Sequence, residues 1–304
     1  MKISVIIPTY NAEAYIDGLL SVLEKQSAAI GEIIIIDSAS SDNTAAIVKK
    51  RGKKIVEINH TEFNHGTTRD KAFLESTGDI VCFLTQDALP ANEFYIEKLT
   101  KPIREDSGIA MVGGRQIARN DAGNIEKYVR LFNYKETSRV WDKRDIDRLG
   151  IKAFFISDSC SAYRRSAYFS VGGFEKNILT NEDMEIAARF LEAGYKLAYR
   201  ADAEVWHSHS YTLFEQFKRN FDVGAFLSMH SEYFSGSRIK SEGMKMLRNV
   251  FGRLVKEMHF AEAFYCIINF FTRFLGNFTG LRYRAFPLPL VKNMSAQKMW
   301  WEGK

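Results

Sequence analysis

Along the first hundred residues the apolar positions switch repeatedly between continuous runs and a helical repeat. KISVIIP (2–8) is a short β-branched run and reads as a strand. Asn11 is then placed to cap a helix in which Ile16, Leu19, Leu20 and Leu23 recur at helical spacing. EIIIID (32–37) shows no polar alternation, the mark of a strand covered on both faces. Asp42 is placed to cap the next helix, KIVEIN (54–59) reads as a third strand, residues 66–76 as a helix, and IVCFL (80–84) as a fourth strand. Alternation of this kind predicts an α/β fold with a doubly wound, mostly parallel sheet.

Residues 110–150 are less regular and more charged, and EKYVRLFNYKETSRVWDKRDIDR (126–148) reads as exposed helix or loop. Order returns at KAFFISDSCSAYRR (152–165) and VGGF (171–174). In NEDMEIAARFLEAGYKLAYR (181–200), Ile186, Phe190 and Leu191 keep helical spacing and Gly194 is a natural stop. AEVWHSHSY (203–211) reads as a last strand. Beyond it the pattern is helical, with basic and aromatic residues interleaved. The expected division is an α/β catalytic unit over 1–210 and a helical C-terminal extension over 211–304.

With 304 residues, 46% of them hydrophobic, the chain can bury one large or two ordinary cores. Its 42 basic and 37 acidic residues leave a net charge of +5, too small and dispersed to argue for nucleic acid. Cys82, Cys160 and Cys266 lie far apart with no CxxC, which fits a reducing compartment better than a disulfide framework. MKISVIIPTYN (1–11) holds too short an apolar run for a signal peptide, and Pro8 interrupts it. No stretch reaches the roughly 20 apolar residues that span a bilayer, and the longest, 264–278, contains Asn269 and Arg273. A soluble, cytoplasmic chain with an apolar tail is expected.

In a doubly wound sheet the ligand crevice lies beyond the carboxyl ends of the strands. The polar residues at the predicted exits are Pro8, Thr9, Tyr10 and Asn11, then Asp37 and Ser38, then FNHGTTRD (63–70), then Gln86 and Asp87. Neither GxxxxGK nor GxGxxG is present, so a nucleotide must be held by another route. Asp37 can accept hydrogen bonds from a base N–H or from ribose hydroxyls, or serve its turn; with Asp42 placed for capping, binding is the favoured role. Asp87 can hold Mg2+ or Mn2+ if phosphates and water complete the shell, with His207 or His209 as a second ligand. Glu182 and Asp183, at a helix start, differ by about 100° around the axis. One can face the crevice as a general base while the other caps or braces. Arg69 and His65 are candidates for pairing with a diphosphate.

VIIPTYN, IIIIDSASSDNT, FNHGTTRD, FLTQDALP, YRRSAYFSVGGF and NEDMEIAARF, in that order over about the first 210 residues, resemble the family-2 glycosyltransferases of GT-A fold. FNHGTTRD, TQDALP, WHSHSY and the C-terminal LPLPLVKNMS are most similar to a bacterial rhamnosyltransferase branch that uses dTDP-β-L-rhamnose to build O-antigen or cell-wall rhamnan. The resemblance implies that Pro8, Thr9, Tyr10 and Asp37 cradle nucleobase and ribose and that Arg69 lies near base and diphosphate. It puts Gln86, Asp87 and Ala88 in the place of a DxD-type metal motif, of which Asp87 alone keeps its acid. Asp183 matches the catalytic base, with Glu182 beside it, and His207 a histidine near metal or diphosphate. The chain departs from the family pattern in that QDA motif, in Asp70 where many relatives carry Asn, and in QFKRN (216–220), which lacks the Trp of the processive synthases' QxxRW.

The implied reaction is inverting and metal-dependent. Mn2+ or Mg2+ stabilises the departing nucleoside diphosphate, Asp183 takes the acceptor's proton, and a β-L donor gives an α-L-rhamnoside. Expected partners are dTDP-rhamnose and a saccharide or lipid-linked saccharide acceptor, with no nucleic acid; a homo-oligomer is left open. Residues 246–301 mix Leu, Phe, Ile and Trp with Arg and Lys. They read as helices packed on the catalytic unit, as a basic, aromatic face resting on the inner surface of the plasma membrane, or as both. Two other functions fit the same residues: transfer of another sugar from a UDP donor, and a non-catalytic nucleotide-sugar-binding scaffold. The intact NED at 181–183 argues against the scaffold.

Overall fold

The computed structural model describes residues 1–234 and 239–303. Its first part follows the predicted alternation: β1 (Ile3–Thr9), α1 (Glu13–Leu23), β2 (Glu32–Asp37), α2 (Thr44–Lys50), β3 (Lys54–Glu57), α3 (His65–Leu74) and β4 (Ile80–Leu84). The four strands are parallel, in the spatial order β3-β2-β1-β4. Alternate residues enter opposite faces. Ile6, Ile34, Ile36 and Phe83 pack with Phe73 on one side, while Val5, Ile7, Ile35 and Leu84 pack with Leu19, Leu20 and Leu23 of α1 on the other. Both faces of β1, β2 and β4 are buried, which is why they read as apolar runs, whereas β3, at the sheet edge, has no buried residue.

Past β4 come β5 (Leu89–Pro90), α4 (Tyr95–Glu105), β6 (Ile109–Ile117), α5 (Asn124–Asn133), β7 (Arg139–Trp141) and α6 (Ile146–Leu149). These are followed by β8 (Cys160–Arg164), α7 (Arg165–Ser170), α8 (Glu182–Glu192) and β9 (Lys196–Trp206). β8 inserts antiparallel between β4 and β6, β9 runs parallel to β6, and β5 and β7 pair antiparallel with β9. The fold is α/β as expected, but this half of the sheet is mixed.

Several local expectations change. The stretch 126–148 is not exposed throughout: it holds most of α5 and all of β7, and Tyr128, Val129, Tyr134 and Trp141 are buried. The strand before it, β6, is hidden in the sequence by two adjacent glycines; a Cβ at Gly114 would lie 2.8 Å from the Ala203 carbonyl oxygen, so the close strand contact requires glycine. The last strand begins at Lys196 and ends at Trp206, leaving 207–211 as loop. Asn11 does not cap α1. It sits at φ +48°, its side chain accepts from Ser41 N, and the first amides of α1 are instead received by Thr44 and Asp42. Asp42 also accepts from Thr44 N at the start of α2, so one carboxylate serves two helix starts.

The C-terminal part is helical: α9 (Leu213–Met229), α10 (Ser231–Phe234), α11 (Ile239–Lys256), α12 (Phe260–Gly280), α13 (Leu288–Met294) and α14 (Lys298–Glu302). α9 and α12 approach backbone to backbone. A Cβ at Gly276 would lie 2.4 Å from Phe217 O, and one at Gly280 would lie 2.0 Å from Phe221 O. α9 therefore grips α12 with these positions while its Gln216, Arg219 and Asn220 line a cavity at the strand exits. No described helix is long and apolar enough to cross a membrane.

Candidate active site

That cavity, of about 450 Å³, gathers side chains from six places in the chain. Asp87 comes from the exit of β4 and His207 and His209 from the exit of β9. His65 and Arg69 come from α3, Asp158 from the turn before β8, Glu182 and Asp183 from the first turn of α8, and Arg219 from α9. Seven of the residues singled out in the sequence thus line one cavity: His65, Arg69, Asp87, Glu182, Asp183, His207 and His209.

The remaining five lie outside it. Asp37 is buried, with Oδ1 accepting from Thr9 Oγ1 at 2.7 Å and from Ser40 Oγ at 2.6 Å, and Oδ2 accepting from Ser40 N at 2.9 Å. Those bonds tie the exits of β1 and β2 together. Gln86 accepts from Tyr10 N at 2.8 Å and donates to Tyr10 O at 3.1 Å, so its amide reads the β1 exit as a neighbouring strand would. Tyr10 is exposed and stacks on His60 at 4.8 Å; Pro8 and Thr9 precede it.

Asp87, His207 and His209 offer ligand atoms that all lie within 4.8 Å of one another. Asp87 Oδ2 is 3.4 Å from His207 Nε2 and 3.5 Å from His209 Nδ1. His207 Nε2 is buried and has no hydrogen-bond partner among the described residues, whereas Nδ1 lies 2.8 Å from Gln116 Oε1. A buried nitrogen left without a partner beside a carboxylate fits a cation site. Burial would raise the Asp87 carboxyl, but the His207 ring outweighs it with help from His209, holding Asp87 well below the usual range. Burial, with His207 adding to it, pushes His209 down to about 4, so at neutral pH it offers a lone pair rather than a charge.

The second cluster is acidic around one cation. Arg69 Nη1 forms an ion pair with Glu182 Oε1 at 2.9 Å, and its Nε faces Asp158 Oδ2 at 3.5 Å. Asp158 also accepts from Ser161 Oγ and Tyr163 OH, each at 2.6 Å, and its own amide donates to Asp183 Oδ2 at 3.2 Å. Burial, then Glu182 and Asp158, push Asp183 well above the ordinary carboxylate range. Glu182 moves the other way, because the Arg69 guanidinium above all offsets its burial. Two adjacent acids are thus driven apart, one kept charged and one made a strong base.

Residues 4–171 match the family described as Glycosyl transferase family 2. The chain belongs to that family. This glycosyltransferase is similar over its whole length to the O-antigen chain rhamnosyltransferase WbaN of Salmonella anatum, 37% identical over 305 residues that cover 99% of this chain and 96% of that protein. Among solved structures, the mannosyltransferase PcManGT from Pyrobaculum calidifontis in complex with GDP-Man and Mn2+ superposes with a TM-score of 0.62 at 15% identity, over 92% of this chain and 87% of that one. S. aureus TarS 1–349 in complex with UDP-GlcNAc gives 0.56 at 19% identity, over 94% and 92%. At such identities the likeness establishes the fold, and it bears out the GT-A expectation.

Three members of the glycosyltransferase site had no signal in the sequence. Asp158 sits in an ordinary Ser-Asp-Ser turn. Gln116 ends a glycine-broken strand, and Arg130, whose guanidinium donates to Gln116 Oε1, lies in a stretch that reads as exposed. Only the packing of β6, β8 and α5 brings them in.

Proposed function

We propose that this glycosyltransferase moves L-rhamnose from dTDP-β-L-rhamnose to a saccharide carried on a lipid, with inversion, and with Mn2+ or Mg2+ held by Asp87, His207 and His209. The observation that carries the reading is a single cavity holding both a three-ligand cation cluster and an acid made strongly basic, Asp183. Rhamnose is favoured by the full-length similarity to a protein named for O-antigen rhamnosyl transfer.

An acceptor hydroxyl bonded to Asp183 gives its proton to a carboxylate oxygen as its own oxygen bonds to the anomeric carbon. The bond from that carbon to the diphosphate breaks on the opposite face, so a β-L donor yields an α-L product. Arg69 offsets Glu182 and Asp158, which lets three acids share one wall. Because Arg69 is so engaged, Arg219, with no carboxylate partner within salt-bridge distance among the described residues, is the better placed cation for the diphosphate. His65 is kept neutral by burial, and its Nε2 meets Gln297 at 3.1 Å. A divalent cation, when bound, supplies the positive charge that stabilises the leaving nucleoside diphosphate. The nucleoside end belongs to the other rim, at Pro8, Thr9 and Tyr10, with Asp37 and Gln86 shaping that loop.

The protein works at the inner face of the plasma membrane, docked on anionic lipid through α12. Phe264, Ile267, Ile268, Phe271, Phe274, Leu275 and Phe278 are all exposed on this helix, with no charge between Glu262 and Arg273. Residues 245–302 carry nine Lys and Arg against three Asp and Glu, a net +6 that exceeds the +5 of the whole chain. An apolar stripe within a basic region matches an anionic bilayer surface, where each Lys or Arg contributes about 1 kcal/mol.

Nucleotide release from dTDP- and UDP-sugars, in Mn2+, Mg2+ or chelator, tests the reaction. Release from dTDP-rhamnose that chelator abolishes is expected. Release from UDP-sugars alone would replace the donor, and undiminished release in chelator would remove the metal.

A further inference from the structure

A second cavity, of about 570 Å³, adjoins the catalytic one and has no role in the reaction above. Two segments line both. Asn177, Ile178 and Leu179 face the second cavity while Thr180 to Asp183 face the first; Trp300 and Trp301 face the second while Ala296 and Gln297 face the first. Trp300 Nε1 donates to Asn177 O at 2.7 Å, which ties these segments together five residues before Glu182, where the catalytic pair begins.

The walls are aromatic. The rings of Trp300 and Trp301 lie 4.8 Å apart at 83°, and Tyr283 lies 5.3 Å from Trp301, so apolar faces are presented in more than one plane. The lining carries three acids, Glu175, Glu185 and Glu232, with Lys176 and His230. His230 Nε2 meets Glu175 Oε2 at 2.8 Å, and Glu185 is bonded twice by Arg189. Among the described lining residues the acids outnumber Lys176 and His230, which disfavours a phosphate. Trp301 is 4% exposed, and its Nε1 donor has no partner among the described residues. A buried donor left unpaired calls for an acceptor.

Ring faces for the C–H side of a pyranose, carboxylate oxygens that accept from hydroxyls, an unsatisfied indole N–H and no excess of positive charge describe a neutral sugar. We propose that this cavity is a subsite for neutral sugar residues of the acceptor glycan, remote from the hydroxyl that reacts. The assignment rests on the glycosyltransferase reading and deepens it: the acceptor is an oligosaccharide of at least two units whose distal part is held by the C-terminal helices.

The test titrates the full chain with neutral trisaccharides of L-rhamnose, D-mannose and D-galactose, following tryptophan fluorescence to about 10 mM, where a 1 mM site is nearly filled. At least one trisaccharide gives a saturable change. Trp300→Ala weakens it roughly five- to tenfold, and Trp300→Phe, which keeps a ring face, stays within about twofold. Binding of dTDP, measured on the same samples, separates damage to the donor site from loss of the subsite. The proposal is overturned by no saturable change with any of the three, or by equal affinity in Trp300→Ala. Failure of donor turnover with saccharide binding intact would instead count against the reaction assigned above.

Discussion

Gln116 fixes the tautomer of His207. Its Oε1 lies 2.8 Å from His207 Nδ1 and also accepts from the Arg130 guanidinium. Guanidinium has only donors, so the atom facing it is oxygen, and the imidazole must meet that oxygen with an N–H. In the neutral ring the lone pair then falls on Nε2, the atom 3.4 Å from Asp87, where a cation can take the place of a proton. Outer contacts of this kind typically contribute ten- to a hundredfold in metal affinity. Gln116→Leu, which keeps the volume and removes the acceptor, is expected to weaken Mn2+ binding by roughly that factor, read from the paramagnetic resonance of free Mn2+. Unchanged affinity would show that His207 is oriented by something else.

Asp183 and Glu182 should separate cleanly in kinetics. Asp183→Asn removes the base while leaving a side chain of the same shape, so kcat should fall by roughly 10²–10⁴ with dTDP affinity retained. A base works only when deprotonated, and the Asp183 pKa is raised, so the rate should fall with decreasing pH at a higher pH than an ordinary aspartate would give. Glu182→Gln removes a negative neighbour and frees Arg69, and both changes lower the Asp183 pKa. The acid limb of the kcat/KM profile should therefore move to lower pH in that variant. A limb that stays in place, or moves up, would assign the titration to another group.

The parallel half of the fold was legible because β1, β2 and β4 are covered on both faces and so print as apolar runs between helices, with the short edge strand β3 placed by the alternation around it. β6 was not, since the glycines that permit its close contacts erase the apolar signal. The same contrast governs the site. Asp87, the Glu182–Asp183 pair and the His207–His209 pair stand at element ends, where a sheet of this class gathers ligands; order alone marks them, and the family resemblance singles out Asp183 and His207. Asp158, Gln116 and Arg130 act through contacts made by non-adjacent elements, and no spacing encodes them. Asp37 shows the opposite case: a carboxylate at a strand exit that reads as a ligand, yet has three hydrogen bonds from its own rim.

The outer stripe of α12 makes the membrane reading testable without touching the catalytic cavity. Phe271 and Phe274 are 62% and 57% exposed, so replacing them removes little from the folded core. In a bilayer interface each would bury a large apolar area, contributing about 1.5–3 kcal/mol. The double variant Phe271→Glu, Phe274→Glu should lower partitioning onto anionic liposomes by at least about tenfold, with the melting temperature little changed. Binding should also weaken as salt rises, because the basic residues flanking the stripe act through a screened field. The helix cannot reposition to compensate, since its Gly276 and Gly280 are pressed against the α9 backbone. Equal flotation of the variant and the unaltered chain would exclude this face. A dimer that dissociates in the variant would give the stripe to a second copy of the chain instead.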